Sequence, residues 1–319
     1  MTRFPGEERT MQLHVWGATD TGRMRSENQD AFLILQLTED GTDHGFVLGP
    51  DSAPPADAPG SRPGSGAQEP GAGQVQLGPR GLLLLVADGM GGAAGGRVAS
   101  RLATSVIAGT LVQDWARERM LSPARFAEHL AVAVRKANAE VLDRARVRPD
   151  LSGMGTTATV AGILDGFVYV AQVGDSRAYL IRNGKATQIT RDQSMVQELV
   201  DQGAMTLEEA ERSAHRSVLL QALGTEPSVR VPLTFHRLQD GDRLLLCSDG
   251  LSGPVAHREL ETIAAESPTT ADACRRLIHA ANEAGGPDNI TVVMAHVSSG
   301  GALGPPEEVR MRPFDPQDP

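Results

Sequence analysis

Gly81-Leu82-Leu83-Leu84-Leu85-Val86-Ala87-Asp88-Gly89-Met90-Gly91-Gly92 is the stretch on which the reading of this chain turns. An unbroken apolar run, Leu82–Ala87, ends on a carboxylate, and three glycines follow before a long helical pattern begins. A continuous apolar run bounded by glycine reads as a strand buried on both faces. A charge at the end of such a strand is costly unless something compensates it. Glycine beside it lets backbone approach a ligand closely. The same device recurs at Leu244-Leu245-Leu246-Cys247-Ser248-Asp249-Gly250. Two further aspartates abut apolar runs: Asp175 after 167–174, and Asp288 ahead of 290–297. Any one Asp-Gly pair after a strand is ordinarily just a turn; the weight lies in the recurrence. Four such acids would repel one another if they converged, and without cations at least one should be protonated. Oxygen-only ligation suits Mg2+ or Mn2+ and disfavours Zn2+ and Cu2+. Two such ions can hold a bridging water and lower its pKa toward neutrality, which is hydrolytic equipment suited to a phosphate ester.

Outward from this stretch, residues 93–114 place Val98, Leu102 and Val106 four apart, a helical stripe. Ser122-Pro123 is a helix start, the proline standing where its missing N–H is no loss. Phe126, Leu130, Val134, Ala137 and Val141 then form one stripe to about residue 146. Two successive long helices should pack together over a sheet. From Gly155 the period changes to two. Strands are expected at 157–164 and 167–173, joined by Asp165-Gly166, and at 177–182 and 186–190, joined by Asn183-Gly184. Both dipeptides suit two-residue turns that need positive φ, and hairpins mean antiparallel pairing.

Residues 191–230 interrupt the strands with helical stretches at 195–200, 207–211 and 218–223 and are expected to form a flap. Strands at 231–235 and 243–248, helices at 254–265 and 270–284, and a last strand at 290–297 follow. Upstream, 12–19 and 31–37 read as strands around a polar loop. Residues 40–80, rich in Gly, Pro, Ala, Ser and Asp, cannot bury enough surface to offset their ordering entropy and read as a disordered insertion in a hairpin. Residues 1–10 and 299–319 read as tails. The sum is one α+β domain over 11–298, a sandwich of two antiparallel β-sheets flanked by helix pairs.

Six short motifs occur in order: Arg25-x-x-Asn28-Gln29-Asp30, Ala87-Asp88-Gly89-Met90-Gly91-Gly92, Met154-Gly155-Thr156-Thr157, Val173-Gly174-Asp175-Ser176-Arg177, Ser248-Asp249-Gly250-Leu251 and Asp288-Asn289-Ile290-Thr291. Each alone is weak; the ordered set resembles the metal-dependent Ser/Thr protein phosphatases of the PPM (type 2C) family, in their bacterial form. The resemblance runs from residue 25 to 297, apart from the insertion. It implies that Asp88 bridges two Mn2+ or Mg2+ ions, that the Gly89 carbonyl joins one of them, and that Asp249 and Asp288 complete the metal set. It implies a third site served by Asp175, shared with Asp249, and a role for Asp30 through metal-bound water. Arg25 is implied to bind the substrate phosphate, for which a guanidinium fork is better suited than an ammonium. The implied reaction is hydrolysis of phosphoserine and phosphothreonine in proteins, with Asp88, Asp249 and Asp288 activating the water. The implied partners are phosphorylated proteins and an opposing Ser/Thr kinase. Two departures stand out. Many members carry Glu where this chain has Gln29. Animal members often carry a His, the proposed general acid, where this chain has Met90, as bacterial members commonly do. Methionine cannot donate a proton, so the acid is unassigned: a metal-bound water, or a histidine such as His215 or His257 brought in by folding.

The 319 residues are 40% apolar, enough for a core, but only 3% aromatic, so Leu, Val, Ile and Ala must fill it. A net charge of −10 argues against general nucleic-acid or membrane-surface binding. Cys247 and Cys274 each sit in an apolar pattern and read as reduced core residues, which fits a cytoplasmic protein. The N-terminus has no apolar signal core, and no segment reaches the ~20 apolar residues of a membrane span. A monomer is expected. One rival is a dinucleotide-binding enzyme, since Gly89-Met90-Gly91-Gly92-Ala93-Ala94 fits G-x-G-x-x-A with Asp114 at about the right distance. Against it, Asp88 would face a pyrophosphate, and the hairpins deny a parallel βαβ order. The other rival is a catalytically silent phosphoprotein-binding module of the same fold; the presence of all four aspartates favours activity. A phosphocysteine route lacks the Cys-x5-Arg signature it would need.

Overall fold

Two antiparallel sheets lie face to face, with a pair of helices on each outer side. The computed structural model describes residues 11–39, 73–92, 94–115, 117–298 and 308–314. The expected tail at 1–10 and most of the expected insertion, 40–72, lie outside the described residues.

In chain order the strands are β1 (Gln12–Asp20), β2 (Ala31–Gln36), β3 (Gly73–Gln76), β4 (Leu82–Ala87), β5 (Gly89–Met90), β6 (Gly155–Thr156), β7 (Ala158–Leu164), β8 (Phe167–Val173), β9 (Arg177–Arg182), β10 (Lys185–Gln188), β11 (Leu233–Arg237), β12 (Arg243–Cys247) and β13 (Ile290–Ser298). The helices are α1 (Gly95–Thr110), α2 (Pro123–Val147), α3 (Met195–Asp201), α4 (Leu207–Arg212), α5 (Asp249–Ser252), α6 (His257–Glu266) and α7 (Thr270–Glu283). One sheet has the order β10-β9-β12-β13-β1-β3, the other β11-β8-β7-β4-β2, and β5 pairs with β6 apart from both.

The apolar run of β4 is explained by burial on both faces. Leu82, Leu84 and Val86 enter the core between the sheets, while Leu83, Leu85 and Ala87 meet α1 and α2. β12 repeats the arrangement: Leu244 and Leu246 face the other sheet, and Leu245 and Cys247 face α6 and α7. A strand's side chains alternate faces, so only a layer covered on both sides tolerates an unbroken run. The helix pair on the first layer is α1 with α2, anchored by Trp115 against Phe126 at 5.1 Å between ring centroids. Ser122 caps α2 by accepting a hydrogen bond from Arg125 N, and both two-residue turns take positive φ, at Asp165 and Gly166 and at Asn183 and Gly184.

Several expectations are corrected. The end of the presumed insertion forms β3, which pairs with β1 and buries Val75; one apolar residue in a polar tract gave no period to read. The stretch 218–223 is extended, not helical: Leu220 N donates to Gln193 O and Leu223 N to Thr156 O. The strand expected from 231 begins at Leu233, after Pro232, which has no N–H to give a ladder. The helix expected from 254 begins at His257, with α5 before it. Within the expected tail, Phe235 N donates to Arg312 O and Phe314 N to Leu233 O, so residues 312–314 lie along the outer edge of β11. Phe314 anchors them edge-on to Tyr169 and Phe235 at 5.3 and 5.2 Å.

Candidate active site

Five aspartates reach one end of the sandwich from five separate places in the chain. Asp88 follows β4 and Asp30 precedes β2, both in the five-stranded sheet; Asp249 follows β12 and Asp288 precedes β13 in the other. Asp175 sits where the chain crosses between sheets, from β8 to β9. A cleft of about 540 Å³ there is lined by Asp88, Gly89, Asp175, Asp249 and Asp288, with the half-exposed Arg25 on its wall. Asp30, only 1% exposed, is packed behind that wall.

The glycines beside Asp88 and Asp249 are not turn residues, since neither has a positive φ. They are crowded: a Cβ on Gly89 would overlap the Gly96 carbonyl oxygen, and one on Gly250 the Asn289 carbonyl oxygen. The backbone of Asp88 is clamped by the Gly-Thr-Thr segment. Thr157 Oγ1 accepts from Asp88 N at 2.9 Å, while Thr157 N and Thr156 Oγ1 both donate to Asp88 O at 2.8 Å. Thr157 Oγ1 also bonds Ser176 Oγ at 2.7 Å, tying Asp88 to the Asp175 turn. Asp30 Oδ2 accepts from Ser248 Oγ at 2.8 Å and from Thr291 Oγ1 at 2.7 Å. Asn289 Nδ2 donates to the carbonyls of Thr21 and Glu27, which fixes the Arg25 loop against the start of β13. Arg25 Nη2 donates to Asp288 Oδ2 at 2.7 Å.

The electrostatics are those of acids held together against their preference. Burial, then repulsion from Asp30 and Asp249, pushes the Asp88 carboxyl well above the usual range. Burial, then Asp249, pushes Asp175 up to about 8. Burial pushes Asp30 up to about 7 despite its bonds from Thr291 and Ser248. Asp249 is raised by burial and by Asp288. Two buried carboxylate oxygens, Asp30 Oδ1 and Asp249 Oδ1, have no hydrogen-bond partner. An all-oxygen donor set with orphaned anionic atoms fits a hard divalent cation. Among the described residues no three such side chains already enclose a common point, and Asp288 is engaged by Arg25.

Sequence reasoning left some residues without a role. Thr157, Ser176, Ser248, Asn289 and Thr291 stood inside the quoted motifs, and only folding reveals what they hold. Ser217, in the turn after α4, and Leu219, on the extended strip of the 191–230 region, line the cleft and carried no signal in the sequence. Arg177 makes a bidentate pair with Asp192, its Nη2 2.7 Å from Oδ2. No histidine is among the cleft-lining residues; His257 stands on α6 beside Tyr179. The rival dinucleotide reading fails on topology, because Gly89 and Met90 belong to β5 and every pairing of the described strands is antiparallel.

Comparison with known proteins adds the following. Residues 71–291 match the family model described as protein phosphatase 2C. The serine/threonine protein phosphatase PstP of Mycobacterium tuberculosis is 44% identical over 217 residues, which are 67% of this chain and 40% of that protein. This chain thus matches less than half the length of that relative. The serine/threonine phosphatase stp of Listeria innocua is 37% identical over 212 residues, covering 66% of this chain and 83% of that one. Among solved structures, the S. agalactiae serine/threonine phosphatase superposes with a TM-score of 0.71 at 28% identity, covering 89% of this chain and 98% of that one. The catalytic domain of PstP in complex with two manganese ions superposes with a TM-score of 0.67 at 34% identity, covering 91% and 100%.

Proposed function

This chain belongs to the protein phosphatase 2C family, and from that premise we propose that it hydrolyses phosphoserine and phosphothreonine in proteins with the aid of two Mn2+ or Mg2+ ions. The observation that carries the reading is the convergence of Asp88, Asp175, Asp249 and Asp288 on one cleft, with Asp30 behind it and two carboxylate oxygens unpartnered. Asp88, the Gly89 carbonyl, Asp249 and Asp288 would hold the two ions; Asp175 would serve a third, and Asp30 would act through water. When bound, such ions supply the Lewis acidity that activates water near neutral pH and offsets charge on the phosphoryl oxygens.

The chain's own residues do the positioning. Thr156 and Thr157 fix the Asp88 backbone, so its carboxylate enters the cleft from a rigid strand end. Arg25 offers a guanidinium on the cleft wall, suited to a dianionic phosphate. Asn289 holds the Arg25 loop in register with Asp288. The proton for the leaving alkoxide is not assigned to a side chain of the cleft.

The reading extends to residues 11–298 as one catalytic domain with 191–230 as its flap. It extends also to a cytoplasmic monomer in signalling, acting on phosphoproteins against a Ser/Thr kinase; the two buried free thiols support a reducing compartment. Turnover of p-nitrophenyl phosphate and of a phosphothreonine peptide is measured after EDTA treatment and again with Mn2+ restored. Turnover that vanishes and returns supports hydrolysis. Phosphopeptide binding with no phosphate release in Mn2+ would favour a silent binding module instead.

A further inference from the structure

Gln29 stands directly before Asp30 in the loop between β1 and β2, and it touches three pieces of chain that meet at the cleft. Its backbone N donates to Asn289 Oδ1 at 2.8 Å, just ahead of β13. Its carbonyl accepts from Ser100 Oγ of α1 at 2.6 Å. Its side chain goes to a third place: Nε2 donates to the Gly92 carbonyl at 3.0 Å. Gln29, Gly89, Met90, Gly91 and Gly92 all line the cleft.

The receiving loop has glycine where nothing larger fits. A Cβ on Gly89 would overlap the carbonyl oxygens of Gly96 and Gln29, and a Cβ on Gly96 would overlap Gln29 Oε1 and the Gly89 carbonyl. Gln29 is therefore packed directly on the peptides of Gly89 and Gly96. Gly91 and Gly92 then take φ of 105° and 47°, which an L side chain rarely adopts. Gly96 N holds the Gly91 carbonyl at 2.9 Å. A Cβ at Gly92 would meet nothing within 4 Å, so the loop is open on that side where the Gln29 amide holds it. A backbone carbonyl only accepts, so its partner has to donate. Glutamine does. The glutamate that many members of the family carry here would, when ionised, set a second acceptor against the Gly92 oxygen.

We propose that Gln29 is a positioning residue whose amide fixes the glycine wall Gly89–Gly92, and that its task in this chain is this backbone contact rather than a bond to metal-bound water. The inference rests on the phosphatase reading, in which the Gly89 carbonyl joins an ion. Gln29 bears on that carbonyl from two sides, by packing against the Gly89 peptide and by holding the loop three residues further on. The side chain takes no part in the Asn289 bonds that hold the Arg25 loop. Its loss is thus felt in ion binding and in kcat, and not in the binding of phosphate.

The test compares the full chain with Gln29→Met, which keeps the length and loses the donor, and with Gln29→Glu. In EDTA a bond to metal-bound water plays no part, so any change in the loop reports the Gly92 contact. Backbone 15N relaxation of Gly91 and Gly92 should then show order parameters falling from about 0.85 to about 0.6 or below in both variants. In Gln29→Met, Mn2+ binding followed by calorimetry should weaken about tenfold, and kcat for p-nitrophenyl phosphate should fall about tenfold. KM at saturating Mn2+ should stay within about twofold of the parent. Unchanged order parameters in both variants overturn the proposal. So does a loosened loop with parental ion affinity and kcat, and so does an effect confined to KM. A parent that binds Mn2+ yet releases no phosphate overturns the phosphatase reading and the catalytic role of Gln29 with it, and is told apart because the relaxation in EDTA still reports the Gly92 contact.

Discussion

A methyl group at Gly250 would meet the carbonyl of Asn289, the residue whose side chain also holds the Arg25 loop. Gly250→Ala should therefore cost about 1–3 kcal/mol by overpacking and depress turnover as well, read by thermal unfolding alongside p-nitrophenyl phosphate hydrolysis. Asp88→Asn and Asp249→Asn should each lower turnover about 10³-fold or more, since a metal-held charge is worth several kcal/mol at the transition state. In EDTA the same variants should unfold at a higher temperature than the parent, because each removes one buried repelling carboxylate; a lower midpoint in both would count against the crowding argument. Thr291→Val strips one bond from Asp30 and should cost about 10–100-fold in turnover, as loss of outer support does at metal sites. Proton linkage gives a further test. Asp30 and Asp175 keep their protons in the fold up to about 7 and about 8, whereas the unfolded chain releases them near 3.8. Between those values the native state binds more protons, so stability in EDTA falls as pH rises. The unfolding midpoint in EDTA should be higher at pH 5.5 than at pH 8.5, and Mn2+ should shrink or reverse that difference; a flat profile without metal would contradict the raised carboxyls.

Among the elements, those with a strong local signal were legible from residues alone. Asp165-Gly166 and Asn183-Gly184 turn where their dipeptides require, and α2 starts at its Ser122 cap. β4 and β12 read as doubly buried because both faces are apolar. The illegible elements are those that tertiary contact decides. β3 is four residues with one buried side chain, and its partner β1 lies some sixty residues upstream. The stretch 218–223 has a helical spacing of apolar residues, yet Gln193, Met195 and Thr156 recruit its backbone into extended pairing. The segment 312–314 looked like a tail because its hold on β11 is one phenylalanine and a few backbone bonds. Phe314→Ala should cost about 2–3 kcal/mol, less than a central core phenylalanine, and lower the unfolding midpoint by several degrees. An unchanged midpoint would mean that the segment is not held.

At the scale of the molecule, the site was legible as a set of aspartates but not as an arrangement. Their order along the chain, with a resembling family, pointed to one cleft. What the sequence could not express is that Asp30 and Asp175 each stand where the chain crosses between sheets, from β1 to β2 and from β8 to β9, so that both layers meet there. Nor could it express that Ser248, just after β12, and Thr291, in β13, hold the Asp30 that precedes β2 of the other sheet. Saturating Mn2+ should stabilise the whole fold by about 2.7 kcal/mol at a hundredfold excess over Kd, seen as a rise in unfolding midpoint reversed by EDTA. The strip 312–314 along β11 has a different consequence. It occupies the outer backbone groups of a sheet that ends there. Stripped of that cover, the bare margin would be a template for a strand of a second molecule, and a chain shortened before residue 312 would be drawn into self-association through margins that the intact polypeptide keeps closed.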